Sequence, residues 1–424
     1  MDGIGVHTTA GKDRFVALDG MRGCLALTVA AYHFDEIGVR SVDDLMHGGY
    51  LAVDFFFVLS GFVIAHGYGT RLTRSGGVAD FLARRVARLY PVHLVMILPY
   101  LAIETMRLVA TMAGSGMEPR PPFTGWAGLP ALFANLALVQ SFGQFDVLTW
   151  NGPSWSIGCE LWTYVIFALS TCGPARWRLP GQVAIVGVGF AALLALPVTD
   201  MNVSFDYGIL RCLVGFFLGV LARELIFPAV SRLRLVGTVA GGLEVAALIA
   251  ALGFALATSA DRRSLAAPLV FLLPLVVFAL EGGFVSRMLR GPLFAWLGRL
   301  SYSIYMVHAV LLYLAFTAAK KLGGHFGMEL TRRMDGAGFG GVVLDLGSPW
   351  ATAFAGLAFL AMVLAAAELL HRRIEVPGRR LVMRLWDRLR RDREIGLGRE
   401  TTGLVEIPVA ATLPSNIGDH RRHP

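Results

Sequence analysis

Apolar residues run along this chain in long blocks instead of alternating with polar ones. "VAIVGVGFAALLALPV" (183–198) and "LAAPLVFLLPLVVFAL" (265–280) hold no charged residue. A helix that is apolar all round belongs in lipid or in a large core, and about 20 such residues cross a bilayer. Blocks of this kind predict spans near 15–34, 50–68, 90–112, 154–172, 182–198, 206–222, 236–257, 265–281, 300–318 and 350–370. The predicted fold class is therefore all-α: a polytopic membrane protein of about ten transmembrane helices. One further apolar stretch, "LPALFANLALVQSF" (129–142), is too short to span. It reads as an interfacial or re-entrant helix, which membrane depth tolerates only where its backbone is covered. The two halves show no matching interrupted helices of the kind that inverted-repeat transporters carry.

Composition agrees with the pattern. The chain is 55% hydrophobic and 16% charged, against about 25% charged for soluble domains. Met1–Lys12 is polar and Gly-rich and lacks the plan of a secretory signal, so the first span is expected to be retained. Three regions follow: residues 1–14 as a cytoplasmic N-terminal segment, 15–380 as the transmembrane domain, and 381–424 as a basic cytoplasmic tail. The tail opens with "RRLVMRLWDRLRRDR", an amphipathic helix suited to anionic headgroups, before a disordered end.

The net charge of +8 is almost wholly arginine; the only lysines are Lys12, Lys320 and Lys321. Basic residues sit between apolar runs and are roughly threefold denser on the side of the two termini. The positive-inside rule then places both termini in the cytoplasm, and the expected location is the inner (cytoplasmic) membrane. Nucleic acid is not expected as a partner, because no soluble basic face is present; membrane lipid is. Cys24, Cys159, Cys172 and Cys212 form no CxxC pair and have no histidine at ligand spacing. They read as small buried side chains, with no metal expected.

Charge inside a lipid-length block changes the picture. A charged side chain at membrane depth costs a few kcal/mol even on lenient scales. In "LDGMRGCLALTVAAYHF" (18–34), Arg22 and His33 are eleven residues apart. That separation is three helical turns plus about 20°, with a rise of about 16 Å, so both point the same way. Asp19 stands one turn before Arg22 and within pairing reach. Headgroup snorkelling by Arg22 and an interfacial His33 account for the pair equally well. "FFFVLSGFVIA" (55–65) sets Ser60 and Gly61 inside the second span, where the glycine permits close helix packing. Arg85 and Arg88 in "ARRVARLYP" share a helix face; they suit phosphate groups or serve as ordinary inner-surface charge. Glu160 in "GPSWSIGCELWTYV" needs neutralising or pairing. "WLGRLSYSIYMVHAVLLY" (296–313) brings hydroxyls and His308 into a span, as a reacting site or an interfacial belt does. "IEVPGRR" (374–380) reads as a helix stop and anchor.

Taken in order, "LDGMRGCLALTVAAYH", "FFFVLSGFVI", "RRVARLYP", "PSWSIGCELWTY", "LGRLSYSIYMVH" and "IEVPGRR" resemble the acyltransferase-3 family of integral-membrane acyltransferases, across about residues 15–380. The resemblance implies transfer of an acetyl or other short acyl group from cytoplasmic acyl-CoA, with acetyl-CoA the expected donor, to a hydroxyl. The implied acceptor is an extracytoplasmic glycan of lipopolysaccharide, exopolysaccharide or peptidoglycan type, or else a small molecule such as a macrolide. The family's arginine–ten–histidine motif falls on Arg22 and His33, its Arg-x-x-Arg on Arg85 and Arg88, its Ser-Gly-Phe on Ser60, Gly61 and Phe62, and its glutamate on Glu160. Met21 and Cys159 depart from the usual pattern without touching that chemistry. The implied roles are His33 as general base, Arg22 and Glu160 as its catalytic companions, and Arg85, Arg88 and Ser60 on the donor side. A carrier that moves such a substrate without chemistry remains a separate reading of the same intramembrane charges.

Overall fold

The computed structural model describes residues 14–35, 47–69, 72–73, 76–114, 120–327, 329–333, 342–344 and 346–402, the last ten of these by backbone only. Most of the N-terminal segment and the end of the tail, residues 403–424, lie outside the described residues. The chain is a multi-pass helical membrane protein. Its helices are α1 (Val16–Asp35), α2 (Ala52–Tyr68), α3 (Gly77–Met112), α4 (Leu129–Leu136), α5 (Ser154–Cys172), α6 (Ala175–Ala195) and α7 (Gly208–Leu221). They continue as α8 (Gly237–Thr258), α9 (Leu272–Ala279), α10 (Phe284–Leu289), α11 (Pro292–Phe326), α12 (Pro349–Leu370) and α13 (Val376–Thr402).

Among the described residues, eight helical stretches are long and apolar enough to cross a membrane. Helices α1 and α5 occupy two more of the predicted spans, at 20 and 19 residues, but are not among those eight. They are the two helices that carry Arg22 and Glu160, charges that lower their hydropathy.

Element ends follow local chemistry. Ser348 caps α12 by accepting from the Ala351 amide at 3.1 Å, with Pro349 at the first helical position. The stretch predicted at 265–281 is broken into three short helical pieces around Pro268 and Pro274, which lack the amide a continuous helix needs. Helix α3 begins at Gly77 instead of 90, because the arginine-bearing turns are already helical. Helix α11 runs on to Phe326, past the predicted 318, and the Gly-rich stretch after it holds a small antiparallel ribbon, Thr331–Arg333 against Val342–Leu344. The short stretch at 129–142 supplies only the eight-residue α4. Its terminal carbonyls are covered: the Tyr90 hydroxyl donates to Leu136 O, and a ring nitrogen of His93 lies 2.8 Å from Asn135 O.

Two close crossings fix the bundle. Helices α1 and α11 touch at Gly23 and Gly298, where an added Cβ would lie 2.4 Å from the Leu297 carbonyl carbon and 2.4 Å from the Asp19 oxygen respectively. Helices α2 and α7 touch at Gly61 and Gly219, where an added Cβ would lie 1.8 Å from Phe216 O and 1.9 Å from Val58 O. Without a hydrophobic drive between helices in lipid, such backbone approach supplies the packing. Gly61→Ala is therefore expected to lower the melting temperature in detergent, by the equivalent of about 1–3 kcal/mol of overpacking. An unshifted transition would show that the α2–α7 crossing has slack. At the arginine-rich end, α13 crosses α3 where Gly378 meets Pro91. The Trp386 indole donates to Asp80 at 2.7 Å, joining the same two helices.

Candidate active site

Five helices, α1, α2, α3, α5 and α11, wall one cavity of about 110 Å³. Its charged lining is Arg22 from α1, Arg85 and Arg88 from α3, and Glu160 from α5. Helix α2 contributes Ser60, and α11 contributes Ser301, Tyr302 and Tyr305. Ser156 and Tyr164 of α5 add two more hydroxyls, and the rest of the wall is apolar, with Phe56, Phe57 and Leu89 prominent. Pockets that bury a drug-sized molecule run to about 300–1,000 Å³, so this space suits a slim chain better than a ring system.

Each charged group is held differently. The Arg22 Nε donates to Ser301 Oγ at 2.9 Å, and Nη2 reaches Gly298 O at 3.3 Å and Asp19 Oδ1 at 3.5 Å. The close α1–α11 crossing puts these partners within reach, so Arg22 is turned into the bundle. Ser60 Oγ donates to Glu160 Oε1 at 2.5 Å, and Tyr164 OH donates to the same oxygen at 2.5 Å. Helices α2 and α5, far apart in the sequence, thus meet at one carboxylate oxygen. Arg85 lies over the rings of Tyr68, Phe81 and Tyr164 at 5.3–5.8 Å, and its Nη2 donates to Tyr68 OH at 3.2 Å. Its buried Nε has no hydrogen-bond partner, and Arg88 makes no hydrogen bond among the described residues. Both guanidiniums of the Arg-x-x-Arg pair line the cavity with part of their donor set unused.

His33 lies apart. It sits in the last turn of α1, outside the cavity lining. Its ring stacks on His308 of α11, with centroids 5.2 Å apart and planes 14° apart. Tyr305, which does line the cavity, packs against His308 at 5.8 Å and accepts a hydrogen bond from Ser156 Oγ at 2.9 Å. Tyr305 and His308 are packed between the cavity and His33. The structure thus brings together Arg22, Ser60, Arg85, Arg88 and Glu160. It places His33 one ring pair beyond them. Glu160, which the sequence offered as a partner for the imidazole, is held by Ser60 and Tyr164 instead.

Residues 15–368 match the sequence model of a family described as an acyltransferase domain. The chain belongs to the acyltransferase-3 family. It is an enzyme that transfers acyl groups, and the carrier reading falls with that. It is 26% identical to the acyltransferase MdmB of Streptomyces mycarofaciens over 88% of this chain and 93% of that protein. It is 28% identical to the exopolysaccharide production protein ExoZ of Rhizobium meliloti (strain 1021), over 70% of this chain and 86% of that one. With the peptidoglycan O-acetyltransferase OatA of Listeria monocytogenes the identity is 25%, over 46% of this chain and 31% of that protein. No solved structure matches.

Within this acyltransferase-3 bundle, sequence reading missed one buried ion pair. Arg211 of α7 and Asp54 of α2 are both almost fully buried and meet through two bonds, 2.9 Å from Nε and 2.7 Å from Nη2. Two further donors of Arg211 go to the carbonyls of Val203 and Tyr50, both at 3.1 Å. The signal was present: one lone acid in the second apolar block and one lone arginine in the sixth. A second miss is Glu375, which sits in a π turn at His371–Glu375. It accepts from Ser303 Oγ at 2.7 Å and lies 3.0 Å from His371 Nδ1, fixing α11 against the end of α12. "IEVPGRR" suggested only a helix stop there.

Proposed function

We propose that this enzyme moves an acetyl or other short acyl group from cytoplasmic acyl-CoA to a hydroxyl of an extracytoplasmic glycan, in the inner membrane with both termini cytoplasmic. One observation carries the reading: three guanidiniums and a hydroxyl–carboxylate pair line one narrow cavity, whose wall residue Tyr305 packs against the stacked rings of His308 and His33. Arg85 and Arg88 have unused donors at the arginine-rich end, and charge-assisted hydrogen bonds from them suit the phosphates of the donor. Arg22, on the same cavity, faces the pantetheine arm or the thioester carbonyl. The arm is slim, as the cavity is, and extended it covers the roughly 16 Å that separates Arg22 from His33 along α1. Ser60 and Glu160 keep the middle of the passage polar.

His33 is the general base of this reading. It removes the proton of the acceptor hydroxyl as the oxygen attacks the acyl carbon. The new C–O bond forms, the C–S bond breaks, and the thiolate leaves with the proton that His33 took. An apolar wall around the passage limits loss of the thioester to water. Support for a glycan acceptor comes from the similarity to proteins named for exopolysaccharide production and peptidoglycan O-acetylation. The similarity to the acyltransferase MdmB along nearly the whole of both chains favours a second reading, a small-molecule acceptor.

Labelled acetyl-CoA, the purified protein and surface glycan from a strain lacking it are expected to yield an alkali-labile ester on the glycan. Label confined to free acetate would reject this acceptor. In the same assay Arg85→Ala is expected to raise the donor KM about tenfold to a hundredfold, the worth of one or two hydrogen bonds to a charged group. It should change kcat far less. An unchanged affinity for acetyl-CoA removes Arg85 from the donor site.

A further inference from the structure

The seam between α3 and α11 carries aromatic rings well beyond the cavity it walls. Tyr302 donates to Leu89 O across that seam, and both residues line the cavity. Eleven residues on along each helix stand Tyr313 and Tyr100, whose rings lie 5.7 Å apart. Eleven residues make three turns plus about 20°, so this pair shares the faces of Tyr302 and Leu89. Helix α11 meets α1 at Ser301–Arg22 and again at His308–His33, so the two run the same way. Tyr313 therefore lies about 7.5 Å further along α11 than the stacked histidines.

Trp126 completes the cluster. It sits in a single 3₁₀ turn, Gly125–Ala127, between α3 and α4, and its ring stands 6.0 Å from both tyrosines at steep angles. Arg120 lies over the indole, 4.9 Å from the ring centroid. The fully buried carboxylate of Glu104 holds this arrangement, accepting from Arg120 Nη2 and from the Phe123 amide at 2.8 Å. Trp150 pins the other side: its amide donates to Trp126 O and its indole to Gly128 O, both at 3.1 Å. Phe123 and Trp150 take positive φ values of 56° and 51°, which bulky residues keep only where the surroundings enforce them. A ring that merely marks the membrane interface needs neither a buried carboxylate nor strained neighbours. Tyr100 is buried, whereas Trp126 and Tyr313 are each left partly exposed.

We propose that Trp126 and Tyr313 form a sugar-binding subsite for the acceptor glycan, on the extracytoplasmic side of the histidine pair. The inference rests on the glycan reading and the topology given above. A pyranose presents C–H groups on its face and hydroxyls around its rim. The C–H groups are weakly positive and settle on the electron-rich face of an aromatic ring. Glu104 and Arg120 fix the indole in advance, so little freedom is lost when a sugar binds. The subsite makes and breaks no bond. It holds one unit of the glycan so that a neighbouring hydroxyl lies near the histidine end of α1, and its signature is the acceptor KM.

Transfer from labelled acetyl-CoA to graded concentrations of surface glycan, taken from a strain lacking the protein, tests this. Trp126→Leu keeps an apolar side chain and removes the ring. It is expected to raise the glycan KM about tenfold or more, with the acetyl-CoA KM within about twofold of wild type. Trp126→Phe keeps a ring and should stay within about threefold of wild type. Tyr313→Leu should move the same constant in the same direction. An unchanged glycan KM in Trp126→Leu, or a donor KM that rises in step with it, overturns the inference. If that variant does not fold, hydroxyl-radical labelling of the wild-type protein decides. Glycan should protect Trp126 and Tyr313 from oxidation, and acetyl-CoA alone should not. Equal labelling with and without glycan overturns the subsite. Wild-type protein that leaves no ester on the glycan refutes the acceptor reading itself, whereas ester formation with an unmoved glycan KM in the variant sinks the subsite alone.

Discussion

His33→Ala is expected to reduce acyl transfer by about 10²–10⁴-fold, the usual contribution of a positioned general base, while acetyl-CoA still binds with near-wild-type affinity. The expectation follows from where the residue sits. His33 lies in the last turn of α1, outside the cavity that gathers Arg22, Arg85 and Arg88. Removing its ring leaves that arginine cluster untouched, so donor binding and chemistry should separate cleanly. Among its ring contacts are the stack on His308 and a tilted contact with Tyr32. Binding of acetyl-CoA by isothermal titration and ester formation on glycan are the two measurements. Full transfer by the variant would take His33 out of the chemistry. Parallel loss of donor affinity would instead mean that the histidine end of α1 shapes the arginine end.

Asp54→Ala should be among the most destabilising single changes in the bundle. It would leave Arg211 charged, buried and stripped of its two shortest hydrogen bonds. Breaking one side of a buried pair in this way costs about 3–5 kcal/mol. The damage should localise to the α2–α7 crossing, which also depends on Gly61 and Gly219. Thermal unfolding in detergent reads the loss. The double replacement Asp54→Leu with Arg211→Met should recover much of it, because no charge is then stranded. A double variant as unstable as Asp54→Ala would show that the pair stabilises through something other than mutual neutralisation. The remaining bonds of Arg211, to the carbonyls of Val203 and Tyr50, would then be the contacts that matter.

The helical class and the positions of the spans were legible because lipid imposes one simple rule, and apolar blocks obey it in sequence. The same rule made the site legible as its violation: Arg22 and Glu160 lower the hydropathy of α1 and α5, and both side chains line the cavity. Helical spacing put Arg85 and Arg88 on one face, and they line that cavity together. What spacing could not supply was the partner of each group across helices. Nothing local says that Glu160 would meet Ser60, a hundred residues earlier, or that Asp54 would find Arg211. The approach of α2 to α7 decides the second pairing, and it depends on glycines whose effect is visible only once both backbones are placed. His308 was read as one hydroxyl-belt residue among several, because its defining property, two nitrogens without partners, belongs to the packed state alone.

The glycine crossings carry a consequence for the membrane as a barrier. Where α1 meets α11 and α2 meets α7, no methyl group fits between the backbones. Helices so joined do not swing apart to admit a bulky cargo. With acyl-CoA as the proposed donor, reach across the bilayer would fall to its own flexible arm and to rotating side chains. On that design, an acyl group crosses one leaflet's worth of hydrocarbon without an aqueous pore ever forming.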